Sequence, residues 1–265
     1  MFKNDVRRLE KALLLKNGVV GIRLFKTEED FKKLDLPVLK AKINFCYMVR
    51  RAVRGKHFKA SATDFRCVNA VYALGLKKPD DHITSGEILA ACGLYENAAV
   101  AKRVIDAMRY PAEQCCGVEI GPLRDMPQAD CVIIIANAMQ TMRIFQGYTY
   151  SFGPAENLLS MGNQAMCSDL VAKPLYNNDM NFSLFCRGAR LFGQCGEGDL
   201  GVGMPSHMFH DVTEGVIKTL TPVETDQRKT EILAGLNSAD ELGEPVVLGE
   251  NYVKTIAAYV KNLQD

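Results

Sequence analysis

The six residues Cys131-Val132-Ile133-Ile134-Ile135-Ala136 form the longest uninterrupted apolar run in the chain. They do not alternate with polar residues, so a strand here is buried on both faces and needs a packed layer on each side. Apolar stripes at helical spacing supply candidates for those layers. Val6, Leu9, Leu13 and Leu14 mark a helix over 4–16, and further helices are expected over 44–54, 67–74, 96–108, 138–148, 163–172 and 205–220. Strands are expected at 19–25, 57–62, 118–120, 158–161, 182–185 and 202–204. The reading is one mixed α/β (α+β) body over 1–220, followed by a polar extension over 221–265 with helices at 226–236 and 251–263. A chain of 265 residues buries roughly 70–75% of its unfolded surface, so neither a disulfide nor a metal is required merely to hold its core.

The same run excludes a membrane span, which needs ~20 apolar residues. The opening MFKNDVRRLEKALLLKNG has too short an apolar stretch for a signal peptide, which points to the cytoplasm. Lys and Arg number 32 against 31 Asp and Glu. That balance leaves no electrostatic footprint for nucleic acid.

Two stretches share a β-α-β-α rhythm. Strand 19–25, helix 44–54, strand 57–62 and a helix opening at Cys67 make the first. Strand 131–136, helix 138–148, strand 158–161 and a helix opening near Cys167 make the second. Either the body is an internal duplication, or this is the ordinary rhythm of a mixed chain; a shared path in the two halves decides.

Nine cysteines are spread widely, with no C-x-x-C pair. A disulfide scaffold is shorter and denser. Four of them sit at element starts: Cys46 and Cys167 in first helical turns, Cys67 opening a helix, and Cys186 at a strand-to-helix turn followed by Arg187 and Arg190. Helix N-termini and guanidinium groups favour the thiolate, the form that binds metal or attacks carbon. Four thiolates suit a cubane iron–sulfur cluster or a structural zinc; four separate buried thiols are the plainer alternative.

The stretch KINFCYMVRRAVRGKHFKASATDFRCVNAVYALGL resembles the opening block of the prokaryotic domain-of-unknown-function family 169. ITSGEILAACGLYENAAVAKRVI, the segment around GVEIGPLRDMPQADCVIIIANAMQ, FSLFCRGAR and DLGVGMPSHMF resemble its later blocks, so the likeness runs over roughly 15–220. Asn137-Ala138 stands where the family has Asn-Pro, and Ala189 replaces a polar residue before Arg190. The resemblance implies a shared site of Cys46, Cys67, Cys167 and Cys186, with Asn137, Gln140, Gln164 and Arg190 beside it. It implies no particular reaction.

Other motifs carry less. Gly196-Glu197-Gly198-Asp199-Leu200-Gly201 is formally G-x-G-x-x-G, but two acids lie inside it and a strand follows, so a turn is expected. Arg50, Arg51, Arg54, Lys56, His57 and Lys59 form a basic cluster, suited to an anion or to a solvated helix end. His207 and His210 are read as surface residues.

The leading expectation is a cytoplasmic redox protein or enzyme acting on a small molecule. A 4Fe-4S cluster would be ligated by Cys46, Cys67, Cys167 and Cys186, with Asn137, Gln140, Gln164 and Arg187 around it. Cys186 and Arg190 are the candidate catalytic pair, and Arg187 or Arg190 would offset cluster charge or bind a carboxylate. The alternatives are a metal-free enzyme with Cys186 as nucleophile, or a ligand-binding or assembly module. A redox partner and a symmetric homo-oligomer fit each reading.

Overall fold

The computed structural model describes residues 2–39, 41–108, 115–220 and 224–238. In chain order the strands are β1 (Val20–Phe25), β2 (Phe58–Ala60), β3 (Gly117–Pro122), β4 (Cys131–Asn137), β5 (Asn181–Ser183) and β6 (Asp199–Pro205). The helices that build the two faces are α1 (Phe2–Leu13), α2 (Phe45–Val53), α3 (Val68–Ala73), α4 (Ala98–Ala107), α5 (Ala138–Phe152), a π-helix (Ala165–Ala172), α6 (Lys173–Asn177), α7 (Arg187–Leu191) and α8 (Phe209–Lys218).

β4 lies inside a six-stranded sheet of order β2-β3-β1-β4-β6-β5, and its residues divide as a doubly buried strand should. Cys131, Ile133 and Ile135 join the core beneath α2 and the π-helix. Val132, Ile134 and Ala136 join the core beneath α1, α5 and α8. Every strand pairing in the sheet is antiparallel.

The strand order reads the same from either edge once β1, β2 and β3 are exchanged for β4, β5 and β6. The registers agree as well. Val20 pairs with Pro122 as Cys131 pairs with Pro205. Phe58 pairs with Ile120 as Asn181 pairs with Gly203. At the centre Val20 faces Ile133, Gly21 faces Val132 and Ile22 faces Cys131, a set that maps onto itself when the halves are swapped. A pseudo-two-fold axis therefore passes through the Gly21–Val132 pair.

The repeat thus exists, but it aligns differently from the rhythm in the sequence. Leu158–Met161 is not a strand. The backbone of Leu159 is instead tied to the sheet edge by one side chain, its N–H donating to Asn181 Oδ1 and its carbonyl accepting from Asn181 Nδ2, both at 2.8 Å. β5 is the true counterpart of β2. Cys67 and Cys186, each at the N-cap of a short helix after these strands, become equivalent. Cys46 and Cys167, in the helices before them, form the other pair. Pro174 does not close the 163–172 helix: it sits in the first turn of α6, where its missing N–H is not needed.

On the α1 side, α5 and α8 touch backbone to backbone. A Cβ on Gly215 would lie 2.2 Å from the Gly147 carbonyl oxygen, so only glycine permits this approach. Arg143 of α5 is buried against the same helix. Its guanidinium donates to Val216 O at 2.6 Å, Gln146 Oε1 at 2.7 Å and Thr219 Oγ1 at 2.9 Å. Its Nε lies 3.4 Å from Glu224, which also holds Arg228 at 3.0 Å.

The helix expected at 226–236 runs over Asp226–Leu236, capped by Thr225, and buries Ile232 and Leu236 on the core shared with α1. The helix expected at 251–263 lies outside the described residues. Among the described residues no helix is long and apolar enough to cross a membrane.

Candidate metal centre

Each cysteine of the predicted set is placed by local chain geometry. Cys46 is the second residue of α2. Cys67 is the N-cap of α3, with φ −92° and ψ 108°. The two helix entries are tied by a short parallel bridge between Ile43 and Phe65. In that bridge Ile43 N–H donates to Asp64 O at 3.0 Å and Arg66 N–H to Ile43 O at 2.9 Å.

In the second half, Gln164 takes the left-handed conformation, φ 57° and ψ 44°, and starts the π-helix that carries Cys167. Gly203 on β6 lets that helix lie close, since a Cβ there would stand 2.2 Å from Leu170 O. Phe185 turns the chain into Cys186 at φ 67°, an unfavourable angle for an aromatic residue. Arg190 braces this turn. Its guanidinium donates to Leu184 O at 2.8 Å and to Gly196 O, and its Cζ lies 5.4 Å from the Phe185 ring centre.

All four cysteines line one cavity of about 220 Å³. Asn44, Asn69, Asn163, Gln164 and Arg187 join them, with Phe45, Leu94 and Phe192 supplying apolar wall. One member of each thiol pair comes from each half of the repeat, so the cavity spans the pseudo-symmetry.

The thiols interact electrically. Cys186 is lowered to about 5, first by the hydrogen bond from the Cys46 thiol, against the opposing effect of burial, and then by the amides of Ala165, Ala189 and Gly188. Cys46 is raised, by that same bond and by burial, with Cys167, Cys186 and Cys67 adding like charge. Burial raises Cys167, and Cys67 and Cys186 raise it further. Within the π-helix, burial lifts Asp169 to about 7 although Ser183 Oγ donates to it at 2.7 Å.

The spacing discriminates among metals. No three of the four sulfurs lie within 4.8 Å of one another. Thiolates on a single tetrahedral zinc, at ~2.3 Å from the ion, stand only ~3.8 Å apart. As placed, the four thiols are spread too widely to bind one ion together.

Other predicted residues lie elsewhere. Asn137 and Gln140 cap α5 reciprocally, with both bonds at 2.9 Å, and Gln140 Nε2 reaches Leu13 O and Leu14 O. They close a helix end and do not line the cavity. Nor does Arg190, whose polar contacts go to backbone carbonyls. The Gly-rich loop closes on its own acid, Gly196 N–H donating to Asp199 Oδ2 at 2.8 Å, as a turn should.

The basic cluster disperses. Arg50 binds Asn17, Arg54 binds Gln194, His57 meets Glu119 at 2.8 Å, and Lys59 is buried against the carbonyls of Phe31 and Leu34. His210 sits 3.1 Å from Asp5 beside Glu214, whose carboxylate already holds Arg8.

The residues missed in the sequence are Asn44, Asn69 and Asn163. A signal was present: each stands within four positions of a cavity cysteine.

The family model described as "Uncharacterised ArCR" of domain-of-unknown-function family 169 matches residues 8–215. The uncharacterized protein MJ0308 of Methanocaldococcus jannaschii is 22% identical over 217 residues, covering 81% of this chain and 93% of that protein. No solved structure matches.

Proposed function

This chain belongs to domain-of-unknown-function family 169, and on that premise we propose that it is an iron–sulfur redox protein or enzyme of the cytoplasm. Cys46, Cys67, Cys167 and Cys186 hold the cluster, and the substrate or redox partner approaches at the cavity mouth. The observation that carries this reading is the convergence of four thiols, from four separate elements, on one cavity.

When bound, such a cluster supplies one-electron transfer. The chain contributes the thiolates, of which Cys186 is already favoured as an anion by its neighbours. Arg187 at the mouth offsets negative charge. Arg190 is a positioning residue that fixes the turn presenting Cys186.

The test is iron and sulfide analysis with an absorption spectrum, on protein purified without oxygen. A broad band near ~400 nm and about four irons per chain are expected. Alanine at any one of the four cysteines lowers the iron content; unchanged iron in all four variants sinks the assignment.

The lowered Cys186 favours a second reading, in which that thiolate is a nucleophile in a metal-free enzyme. No His is among the described residues lining the cavity, so this reading lacks an obvious base. A colourless, iron-free protein would bring it forward.

A further inference from the structure

Of the polar residues lining the cavity, Asn163 is engaged, its Nδ2 donating to the Tyr95 hydroxyl at 3.3 Å, and the other four side chains are not, among the described residues. Arg187 is exposed and makes no ion pair or hydrogen bond among the described residues. Gln164 Oε1 is buried with no partner, on a residue held in a left-handed conformation. Asn44 occupies the N-cap of α2, yet its carboxamide makes no cap hydrogen bond. Asn69 likewise has no partner among the described residues. Buried or cavity-facing polar groups are normally satisfied, and an unsatisfied group costs about 1–3 kcal/mol. A set of them around one cavity marks a place where a ligand supplies the missing partners.

The composition of the set states the ligand's chemistry. One guanidinium can neutralise one negative charge and pairs bidentately with a planar carboxylate. The neighbouring carboxamides are neutral and offer both donors and acceptors. A phosphate dianion calls for more cation than this. Leu94 and Phe192 on the same wall are about half exposed, at 50% and 46%, and suit a carbon body beside the charge.

We propose that the cavity mouth is a binding site for a small monocarboxylate, with Arg187 pairing its carboxylate and Gln164, Asn44 and Asn69 satisfying its remaining polar atoms. This deepens the reading of the thiol cavity as the functional site, by naming the class of substrate presented to it. It does not require that the thiols hold metal.

Two alkylating agents of nearly equal size test it. Iodoacetate carries a carboxylate and iodoacetamide is neutral. With either, a thiolate sulfur displaces iodide, forming a C–S bond as the C–I bond breaks. The full-length chain is stripped of iron without oxygen, its fold checked by circular dichroism, and each cysteine followed by peptide mapping.

The iodoacetate-to-iodoacetamide rate ratio at Cys186 should exceed that at the exposed Cys92 by about tenfold, the scale of one charge-assisted contact. The iodoacetate rate at Cys186 should level off with concentration, while that at Cys92 rises linearly. Arg187→Gln should remove the excess. Equal ratios at Cys186 and Cys92 would overturn the proposal, and an excess that survives Arg187→Gln would overturn the assignment of Arg187.

The iron analysis fails independently. An iron-free protein with the raised ratio loses the cluster and keeps the carboxylate site. An iron-loaded protein with a flat ratio keeps the cluster and loses the carboxylate site.

Discussion

On the face covered by α1, α5 and α8, Arg143 is buried with a side-chain exposure of 1% and its guanidinium is claimed by Val216, Gln146, Thr219 and Glu224. On the face covered by α2, the π-helix and α7, Arg187, Asn44 and Asn69 stand without partners, and Gln164 keeps a buried oxygen unbonded. The same sheet separates the two. On one face Arg143 fixes helices against each other; on the other four polar groups are left unbonded beside four thiols. A fold gains nothing in stability from the second arrangement, so that is where ligand chemistry is to be sought.

The largest effect should come from the satisfied face. Arg143→Ala leaves Glu224 buried with Arg228 alone, removes the hydrogen bonds that join α5 to Val216 and Thr219 and should cost about 3–5 kcal/mol in chemical denaturation. Replacing both, Arg143→Met with Glu224→Leu, should recover most of that loss. If the single variant were as stable as the parent, the contrast between the faces would fail.

Gly215→Ala comes next. Its methyl would meet the Gly147 carbonyl, forcing α5 and α8 apart for about 1–3 kcal/mol, measured as a lower Tm with the thiol cavity intact.

The unsatisfied face should respond with the opposite sign. Gln164→Leu removes an unpartnered buried oxygen and should stabilise the protein by about 0.5–1 kcal/mol. A loss of stability there would show that the carboxamide already has structural work.

The last effect is a pH slope. Burial pushes Cys195 up to about 12 from an ordinary thiol value of 9.0. Its contribution is complete below the unfolded pKa and is lost as pH rises toward the folded one, because only the unfolded chain releases this proton in that window. Cys195→Ala should therefore make stability fall less steeply between pH 9 and 11 in denaturant titrations.

Much of this was legible in the residues. The Cys131–Ala136 run named the doubly buried strand. The stripe Val6, Leu9 and Leu13 named the helix on it, and cysteines at element starts named the cavity wall. What failed had a specific cause. Leu158–Met161 has strand composition but is held by one asparagine from a neighbouring strand, a contact that no local pattern reports. That single error shifted the alignment of the halves and matched Cys67 with Cys167 in place of Cys186. The family resemblance places Asn137, Gln140 and Arg190 beside the site. Their hydrogen bonds belong to a helix cap and a turn, and only three dimensions separate such roles from binding.

The axis through Gly21 and Val132 also has a consequence during synthesis. The first half of the chain emerges carrying Cys46 and Cys67 and one wall of the cavity. The opposite wall waits for Cys167 and Cys186, the latter more than two-thirds of the way along the chain. A ribosome that stalls between the halves leaves a product with two of the four cavity thiols and no enclosure. Any cofactor that needs all four thiols is therefore taken up only after the chain has passed Cys186, and its presence reports that both halves of the repeat have been made.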